Sequence, residues 1–521
     1  MKKTLIFSMV IFSCLAAKAQ EINAIVTRQD NVAQEKIQLI NTPNVILNQD
    51  GITDGITLKS GEQTVKEYDF SDGNVTVLFA SAINGSKSIE NFTHPVVIEN
   101  GGILTVSGTN GNENAEDLVI EDGGQLRFDA GTVNAIVKKV ITGYNDGKGN
   151  WYLVASPVSG ATPTAVGMID QTTPDNYDLY IFDQTKLHEE WQNNKVSEQE
   201  IESLAIQNGY LYANNPGTTL AFNGQLIASA DAKKKELVYD DKNAKWAGFN
   251  LVGNPYACNA TIEGTGLRSN NFFFEMNQDG TALVVVENPV LAPCTAVFAV
   301  AAGSETTPTV SFVKEAIRGE NNALQSIRIE LLANGKNIDR AYVNMNGQTL
   351  PKFRLNDNSS EIFFSNANEE LAVVSASATN GVIPVNFKAQ QNGNYTIAIN
   401  TENIDAEYMH LVDNMTGADI DLLATPNYSF EAKTSDYASR FKLVFGIKDE
   451  NSETSENFAF MNNGNLVIDN IDGQATLQII DVTGRVISTE IISGSYNKPL
   501  NVTPGLYILS LDDMTQKIIM K

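Results

Sequence analysis

Two ten-residue segments of the sequence repeat each other closely at an offset of 22 residues. Residues 97–106 read VIENGGILTV and residues 119–128 read VIEDGGQLRF, with the Gly-Gly pair at the same point of both. A fainter third copy begins at Val75. This period is typical of a solenoid, in which each coil buries its strand against the next coil. We predict a short right-handed β-helix over about residues 40–135, within a solenoid-like region at 20–139. A plain β-sandwich with two similar hairpins is the alternative.

The same alternation of short strands and turns extends along the whole chain. Runs rich in Val, Ile, Thr, Tyr and Phe are separated by Asn, Gly, Thr and Ser, which is typical of many short strands. The predicted fold class is therefore all-β. The best helix candidate is 197–206, where Ser197 and Glu200 have the spacing of a capping box. A length of 521 residues, 42% of them hydrophobic, indicates roughly three to five domains with ordinary packed cores.

A second internal repeat has an offset of 98 residues. Residues 151–158 read WYLVASPV and residues 249–256 read FNLVGNPY. The repeat predicts a double β module at 140–315, with halves near 140–235 and 236–315. The order of an aromatic residue, Leu-Val, Gly-Asn-Pro-Tyr, an aromatic strand and Leu-x-Pro-x-x-x-x-Phe resembles a module of large cell-surface proteins that the bacterial type IX secretion system exports.

The third region, residues 316–447, contains strand-like runs such as IRIELL, EIFFS, NYTIAI and FKLVFGI. Asn392-Gly393 and Thr416-Gly417 are turn signals between them. About seven short antiparallel strands predict an immunoglobulin-like sandwich. The polar, acidic residues 448–456 that follow predict a linker.

The chain starts with the pattern of a secretory signal peptide. Lys2 and Lys3 precede a short apolar stretch, and Ala17-Lys18-Ala19 forms a small-x-small cleavage site before Gln20. We predict a signal peptide at 1–19, cleaved between Ala19 and Gln20. Cys14 leaves a lipoprotein alternative open.

The last segment, 457–521, combines a hairpin pattern with a small set of spaced motifs. Strand-like TLQIID and RVISTEII flank a Val-Thr-Gly turn, and two further strands end the chain. The segment resembles the type A C-terminal sorting domain of type IX secretion cargo, predicted as a small β-sandwich. The residues that carry this resemblance are Asp481, Gly484, Arg485, Pro504, Gly505, Tyr507, Lys517 and Lys521.

This resemblance implies a route of export. The signal peptide would direct passage across the inner membrane, and the sorting domain would direct passage across the outer membrane before the sortase of the system removes it. The predicted partners are the type IX secretion machinery, its sortase and surface lipopolysaccharide. The predicted location is the extracellular cell surface, attached to the outer membrane or released.

The net charge bears on the possible partners of the chain, and the cysteine content bears on a possible disulfide. With 36 Lys and Arg against 62 Asp and Glu, the formal net charge is −26, which disfavours nucleic acid as a partner. Beyond the signal peptide only Cys258 and Cys294 remain. An oxidising compartment permits a disulfide between them, worth ~3–4 kcal/mol in the chain-entropy model. Two small buried thiols are the alternative.

The sequence contains no recognisable catalytic constellation. His94, His188 and His410 fall in three predicted domains. The run HEEWQ has Gln192 where a zinc-protease motif needs a second His. We therefore predict no catalytic residue, metal site or cofactor, and no enzymatic activity.

Seven aromatic residues cluster in the double module, and they give the one hint of a ligand. Aromatic faces stack on sugars, although core packing is the commoner use of such residues. The leading hypothesis is a non-catalytic β protein for adhesion or extracellular binding. The alternative is a carbohydrate-active enzyme or glycan-binding protein built on the β-helix and the aromatic-rich modules. The seven residues are Trp151, Tyr177, Tyr180, Trp191, Tyr210, Tyr212 and Trp246.

Overall fold

The computed structural model describes most of the chain after residue 95 and seven strands before it. The predicted signal peptide with Ala19 and Gln20, the linker at 448–456, His94 and Lys521 lie outside the described residues. The described residues are 23–29, 32–39, 44–47, 55–60, 63–69, 75–79, 82–85, 96–111, 114–144, 149–228, 233–243, 245–304, 306–314, 325–345, 347–355, 358–366, 369–376, 380–447, 458–462, 465–512 and 514–520.

The fold is all-β, as the strand and turn pattern predicts, with 57% of residues in strands and 3% in helices. The helix predicted over 197–206 is wrong, because only one 3-10 turn forms there and no side chain caps it. Its backbone is drawn into tertiary hydrogen bonds instead: Ile201 N donates to Asn194 Oδ1 at 2.7 Å, and Leu204 N to Ala161 O at 2.8 Å. The described helices are α1 (Pro163–Val166) and the 3-10 turns Ala115–Asp117, Pro174–Asn176 and Ser197–Gln199.

The chain divides into two compact units, Met1–Lys138 with Asn223–Ala230, and Lys139–Phe222 with Asp231–Lys521. The strands of the first unit, the last of which runs past its boundary, are β1 (Asn23–Gln29), β2 (Val32–Leu39), β3 (Asn44–Leu47), β4 (Gly55–Ser60), β5 (Gln63–Asp69), β6 (Val75–Phe79), β7 (Ala82–Gly85), β8 (Val96–Ile98), β9 (Ile103–Gly111), β10 (Leu118–Ile120), β11 (Gln125–Thr132) and β12 (Asn134–Ile141).

In the first unit the 22-residue repeats lie side by side as parallel strands. β6, β8, β10 and β12 pair in parallel, and so do β7, β9 and β11. The register places Ile98 beside Ile120, and both are fully buried. Before Val75 the pairing is antiparallel, in β1–β2 and β3–β4–β5. Among the described strands, parallel pairing therefore begins with β6 (Val75–Phe79).

The glycine pairs of the repeat make this stacking sterically feasible. Gly101 N donates to Gly123 O at 3.1 Å, so the turns of successive repeats are hydrogen-bonded to each other. Gly123 has a φ of 85°, which favours glycine. A Cβ on Gly124 would lie 2.5 Å from Ile98 O, so no larger residue fits between the turns.

The second unit contains the strands after β12, and β17 extends across the boundary between the two units. They are β13 (Tyr152–Ala155), β14 (Tyr177–Phe182), β15 (Trp191–Asn193), β16 (Gly209–Asn214), β17 (Thr218–Gln225), β18 (Lys233–Glu236), β19 (Phe249–Gly253), β20 (Ala260–Thr265), β21 (Phe272–Met276), β22 (Leu283–Glu287), β23 (Val290–Leu291), β24 (Ala296–Val300), β25 (Thr309–Lys314), β26 (Ser326–Ala333), β27 (Lys336–Asn344), β28 (Leu350–Pro351), β29 (Glu361–Ser365), β30 (Glu370–Ser375), β31 (Asn380–Lys388), β32 (Gly393–Glu402), β33 (Ala406–Asp413), β34 (Asp419–Asp421), β35 (Asn427–Ala432), β36 (Phe441–Ile447), β37 (Ala459–Asn462), β38 (Asn465–Asp481), β39 (Val486–Pro499), β40 (Gly505–Leu511) and β41 (Met514–Met520).

The sequences that repeat at an offset of 98 residues form two four-stranded sheets with the same strand order. We call residues 149–214 the first module and residues 233–314 the second module. The orders are β13-β16-β14-β15 in the first module and β19-β24-β21-β22 in the second. β18, β25, β20 and β23 form a further sheet within the second module.

Hydrogen bonds between the two modules occur in reciprocal pairs. Ala155 N donates to Cys294 O at 3.2 Å, and Gly253 N, 98 residues later, donates to Gln207 O at 2.9 Å. Gln207 and Cys294 both have a positive φ, at 67° and 60°. The isolated bridges Val154↔Thr295 and Asn208↔Val252 follow the same exchange. The two modules are therefore joined by contacts with approximate twofold symmetry.

Residues 325–447 form one eleven-stranded sheet, four strands more than predicted. Its order is β34-β33-β36-β31-β29-β30-β27-β26-β32-β35, with β28 on β30. All pairs are antiparallel except β27 with β30. This sheet shares an aromatic core with the second module, because the Phe353 ring lies 4.5 Å from that of Phe249 and 4.6 Å from that of Phe298.

The C-terminal segment forms a five-stranded antiparallel sheet of order β37-β38-β40-β41, with β39 on β38. The side chain of Gln516 on the last strand bonds both the backbone N and O of Ala459 on the first, at 2.8 and 2.6 Å. A core of buried apolar side chains that includes Leu477, Leu509 and Ile518 packs on this sheet. The last strand, β41, is thus hydrogen-bonded to the first strand of this sheet, β37.

Candidate functional site

The residues of the predicted sorting motif around Asp481 build a tight turn between β38 and β39. The Oδ1 atom of Asp481 accepts from the backbone N of Thr483 and of Arg485, both at 3.0 Å, and from Thr483 Oγ1 at 2.5 Å. The Nε atom of Arg485 donates to Oδ2 at 3.0 Å. Hydrogen bonds from Thr483 and Arg485 lower the pKa of Asp481 to about 2, so the carboxylate is charged at neutral pH. Gly484 takes the positive φ of the turn, at 83°.

The second half of the motif forms another turn that Tyr507 closes. Its hydroxyl donates to Thr503 O at 2.8 Å and lies 3.1 Å from Thr503 Oγ1, across Pro504 and Gly505. The register of β38 with β40 places Asp481 directly beside Tyr507. The structure therefore brings together two motif halves that are separated in sequence.

The basic residues of the motif face solvent. Arg485 is 76% exposed and Lys517 is exposed on β41, while Ile518 and Met520 beside it are buried in the core. Lys521 lies outside the described residues. The described motif residues thus divide into turn formers, namely Asp481, Gly484, Pro504, Gly505 and Tyr507, and exposed cations, Arg485 and Lys517.

A second candidate site is a cleft of about 370 Å³ at the junction of the two modules. One wall contains the half-buried ring of Trp151. Another is formed by β21 and the turn that follows it in the second module. The Trp151 ring stacks on Tyr144 at 6.2 Å and lies 6.1 Å from Tyr180. Burial and the nearby charge of Asp178 raise the pKa of Tyr180, so its hydroxyl stays neutral. The lining includes Lys139, Asn150, Trp151, Tyr152, Glu275 and Gln278.

Backbone hydrogen bonds hold the wall of this cleft in place. Asn150 N donates to Asp279 O at 2.7 Å, and Trp151 N donates to Gly280 O at 3.1 Å. Gly280 has a φ of 59°, and a Cβ there would collide with the backbone of Trp151. Trp151 is therefore presented on a fixed backbone, which lowers the entropy lost when a ligand binds.

Core packing accounts for most of the predicted aromatic cluster. Trp246, Tyr177, Tyr210 and Tyr212 are buried. The half-buried Trp191 packs edge-on against Phe182 at 5.0 Å. Of the seven aromatic residues only Trp151 lines the cleft. Sequence reasoning missed its neighbours Asn150 and Gln278, which the turn signals Gly149-Asn150 and Asp279-Gly280 could have marked as adjoining loops.

The two cysteines are buried in neighbouring segments of the second module. The Asn254 side chain donates to Cys258 O and to Leu291 O, at 2.9 Å each, and so ties the two segments together. β20 pairs with β23 between the cysteines, with Ala260 opposite Leu291. The disulfide between Cys258 and Cys294 stays a prediction.

The described histidines do not assemble a reactive site. His188 lies in a loop with a φ of 70°. His410 contacts Asp419 through Nδ1 at 2.7 Å and stacks on Tyr408 at 4.2 Å. Within the described ranges no group of three or more His, Cys, Asp and Glu side chains is arranged to hold a metal ion. None of the helices described is long and apolar enough to cross a membrane.

No protein-family model, curated protein or solved structure matches this chain.

Proposed function

We propose that the chain is cargo of a type IX secretion system, with a C-terminal sorting domain at 457–521, and that it acts outside the cell as a non-catalytic adhesion or binding protein. The observation that carries this proposal is the arrangement of the motif residues. Asp481 and Tyr507 lie beside each other, each closing a turn with its own side chain, while Arg485 and Lys517 are exposed. An ordinary terminal β-domain would account for the strands but not for this ordered set of turn residues and exposed cations.

The rest of the molecule fits a passenger built for surface contact. We propose that residues 75–141 are the coils of a short β-solenoid, since parallel strands pair there at the repeat distance. The eleven-stranded sheet at 325–447 would be an elaborated immunoglobulin-like sandwich. Both architectures offer long, rigid surfaces for binding.

Deletion of Lys517–Lys521 in the native host tests the export signal. The deletion removes the buried Ile518 and Met520 and exposes the edge of β40, so we expect the passenger to be folded but retained in the periplasm. The matched control is Lys517→Ala, which changes an exposed side chain and leaves the core intact. Normal surface display of the deleted chain, or retention of residues 457–521 on the mature surface protein, would contradict the proposal.

The cleft at Trp151 supports a second candidate function, saccharide binding. A half-buried indole beside amide side chains is suited to a sugar, whose apolar ring face stacks and whose hydroxyls accept and donate hydrogen bonds. A glycan array with residues 20–447 should give a signal that Trp151→Ala abolishes. Trp191→Phe, a change outside the cleft, is the matched control.

Turnover of any polysaccharide above a heat-treated control would favour the carbohydrate-active enzyme instead. An array signal that survives Trp151→Ala would exclude this cleft as the binding site.

A further inference from the structure

Lys235 in the second module reaches into the first module and contacts the side chain of Asn208. Its Nζ atom donates to Asn208 Oδ1. Lys235 lies on β18 and is half-buried, and Asn208 directly precedes β16. In the described part of the chain no carboxylate forms an ion pair with Lys235, and the acceptor that it contacts is an amide oxygen.

Partial burial shifts the ionisation of Lys235 in the direction of its neutral amine. Burial lowers the pKa of Lys235, because desolvation disfavours the charged form and no nearby charge offsets it. A desolvated lysine with a lowered pKa is the form in which this side chain acts as a nucleophile. Lys235 therefore differs from the surface lysines beside it, such as the exposed Lys234.

Asn208 is held in one position for such a nucleophile. It forms an antiparallel bridge with the buried Val252. The next residue, Gly209, is so close to Leu251 that a Cβ there would lie 2.6 Å from Leu251 Cγ. The buried hydroxyl of Tyr210 also forms a hydrogen bond with the Asn208 side chain. The carboxamide is thus fixed between an amine and a phenol.

We propose that Lys235 and Asn208 join in an intramolecular amide bond that crosslinks the two modules. The Nζ–Cγ bond forms and the Cγ–Nδ2 bond breaks. The departing nitrogen takes a proton from Nζ and leaves as ammonia, so the step needs no oxidant or other co-reactant.

The proximity of Nζ and Cγ accelerates the reaction. Cγ lies one carbonyl bond beyond Oδ1, so a small movement of Nζ reaches the roughly 3–3.5 Å separation from which attack proceeds. Holding two reactants at this separation replaces a bimolecular encounter with an intramolecular one. Ammonia diffuses away, which makes the crosslink effectively irreversible.

Lys352, in the eleven-stranded sheet, provides an internal contrast. Its Nζ atom donates to both carboxylate oxygens of Asp339 at 2.6 Å and to Ile362 O at 3.2 Å. Three acceptors satisfy all three N–H groups of an ammonium, and the pair is nearly inaccessible to solvent, each side chain being 3% exposed. Lys352 therefore has three acceptors, two of which belong to a carboxylate, whereas Lys235 has one described acceptor, an amide oxygen.

Intact-mass measurement of the denatured full chain tests the proposal. The protein is expected to be lighter than its sequence by one ammonia, and proteolysis should release a branched peptide that contains both Lys235 and Asn208. Lys235→Arg and Asn208→Ala should each restore the full sequence mass. Lys234→Arg, a change at the exposed neighbour, should keep the ammonia loss.

One other reaction releases ammonia and has to be separated. If the mature chain begins at Gln20, cyclisation of that residue gives the same mass change, but Lys235→Arg does not affect it and the peptide map assigns it to the N-terminus. Linear peptides for both Lys235 and Asn208 in the wild-type protein, with no branched product, would overturn the proposal even if every variant failed to fold.

Discussion

Of the residues of the proposed sorting motif, Tyr507 contributes most directly to the stability of the C-terminal sheet. Its side chain is 6% exposed and belongs to the core of the C-terminal sheet, and its hydroxyl donates to Thr503 O at 2.8 Å. Tyr507→Phe removes one neutral hydrogen bond and should lower the free energy of unfolding by about 1 kcal/mol. Tyr507→Ala also removes the buried ring and should lower it by about 3–5 kcal/mol.

The stability of so small a domain makes this difference decisive. At about 0.05–0.15 kcal/mol per residue, residues 457–521 have roughly 3–10 kcal/mol in total. The alanine variant therefore loses much of its folded population, whereas the phenylalanine variant keeps it. We expect Tyr507→Ala to abolish surface display and Tyr507→Phe to retain it.

Two measurements on the same variants test this reasoning. Hydrogen exchange of β38 and β40 in the full chain measures domain stability, and surface proteolysis in the native host measures display. If Tyr507→Ala leaves exchange protection unchanged, the packing argument is refuted. If Tyr507→Phe keeps protection but loses display, the hydroxyl is read directly by the export machinery and its structural role is secondary.

Further predictions concern stability and covalent state. Asp413 and Arg440 form an ion pair whose side chains are 0% and 1% exposed. Asp413→Ala leaves the Arg440 charge buried without this partner and should lower the free energy of unfolding by about 3–5 kcal/mol in a denaturant titration. A simultaneous Arg440→Leu should recover part of that loss. Burial opposes ionisation of Asp413, but hydrogen bonds from Arg440 and Met415 outweigh it and hold its pKa below the usual range. The stability from this group is therefore complete above about pH 3.9 and should be lost as the pH falls through the lower folded pKa, with a pH titration of the unfolding midpoint as the check. Gly124→Ala should destabilise the parallel stack by about 1–3 kcal/mol, because its Cβ meets backbone oxygens, whereas Gly393→Ala, where a Cβ meets nothing, should be neutral in thermal unfolding. If the disulfide of Cys258 and Cys294 forms, the mature protein should be two hydrogens lighter than its reduced form, and thiol labelling of the unreduced, denatured protein would contradict it.

Local patterns in the sequence predict the elements of this fold well and their pairing less well. The 22-residue offset predicts which strands stack, because a fixed period leaves one register in which Ile98 meets Ile120. The strands before Val75 lack the Gly-Gly turns, and the antiparallel pairing there could not be read from the period. In the eleven-stranded sheet the parallel pair β27–β30 depends on a long-range crossover that no short pattern encodes.

The two candidate sites also differ in how far they could be predicted from local sequence patterns. The two turns at 481–485 and 503–507 are local, because their residues act on their own neighbours in sequence: Asp481 binds Thr483 and Arg485, and Tyr507 binds Thr503. The cleft is not local, since Trp151 is lined up with Gln278 only after two modules have packed together. The aromatic cluster could not be divided into core and cleft residues for a related reason, because a tyrosine at a strand position looks the same in sequence whether its face turns inward or outward.

The two modules are joined by backbone hydrogen bonds that occur twice, once in each direction. Each module supplies a carbonyl from a residue of positive φ, Gln207 or Cys294, to a backbone N–H of the other, so the junction is built twice with the same geometry. Features that occur on one side alone cannot come from the shared architecture. The contact of Lys235 with Asn208 is one of these, because the residue that corresponds to Asn208 is Thr295, which has no carboxamide. What distinguishes this chain from a plain repeat of two modules is therefore located at its asymmetric positions, and these are where variants should first be made.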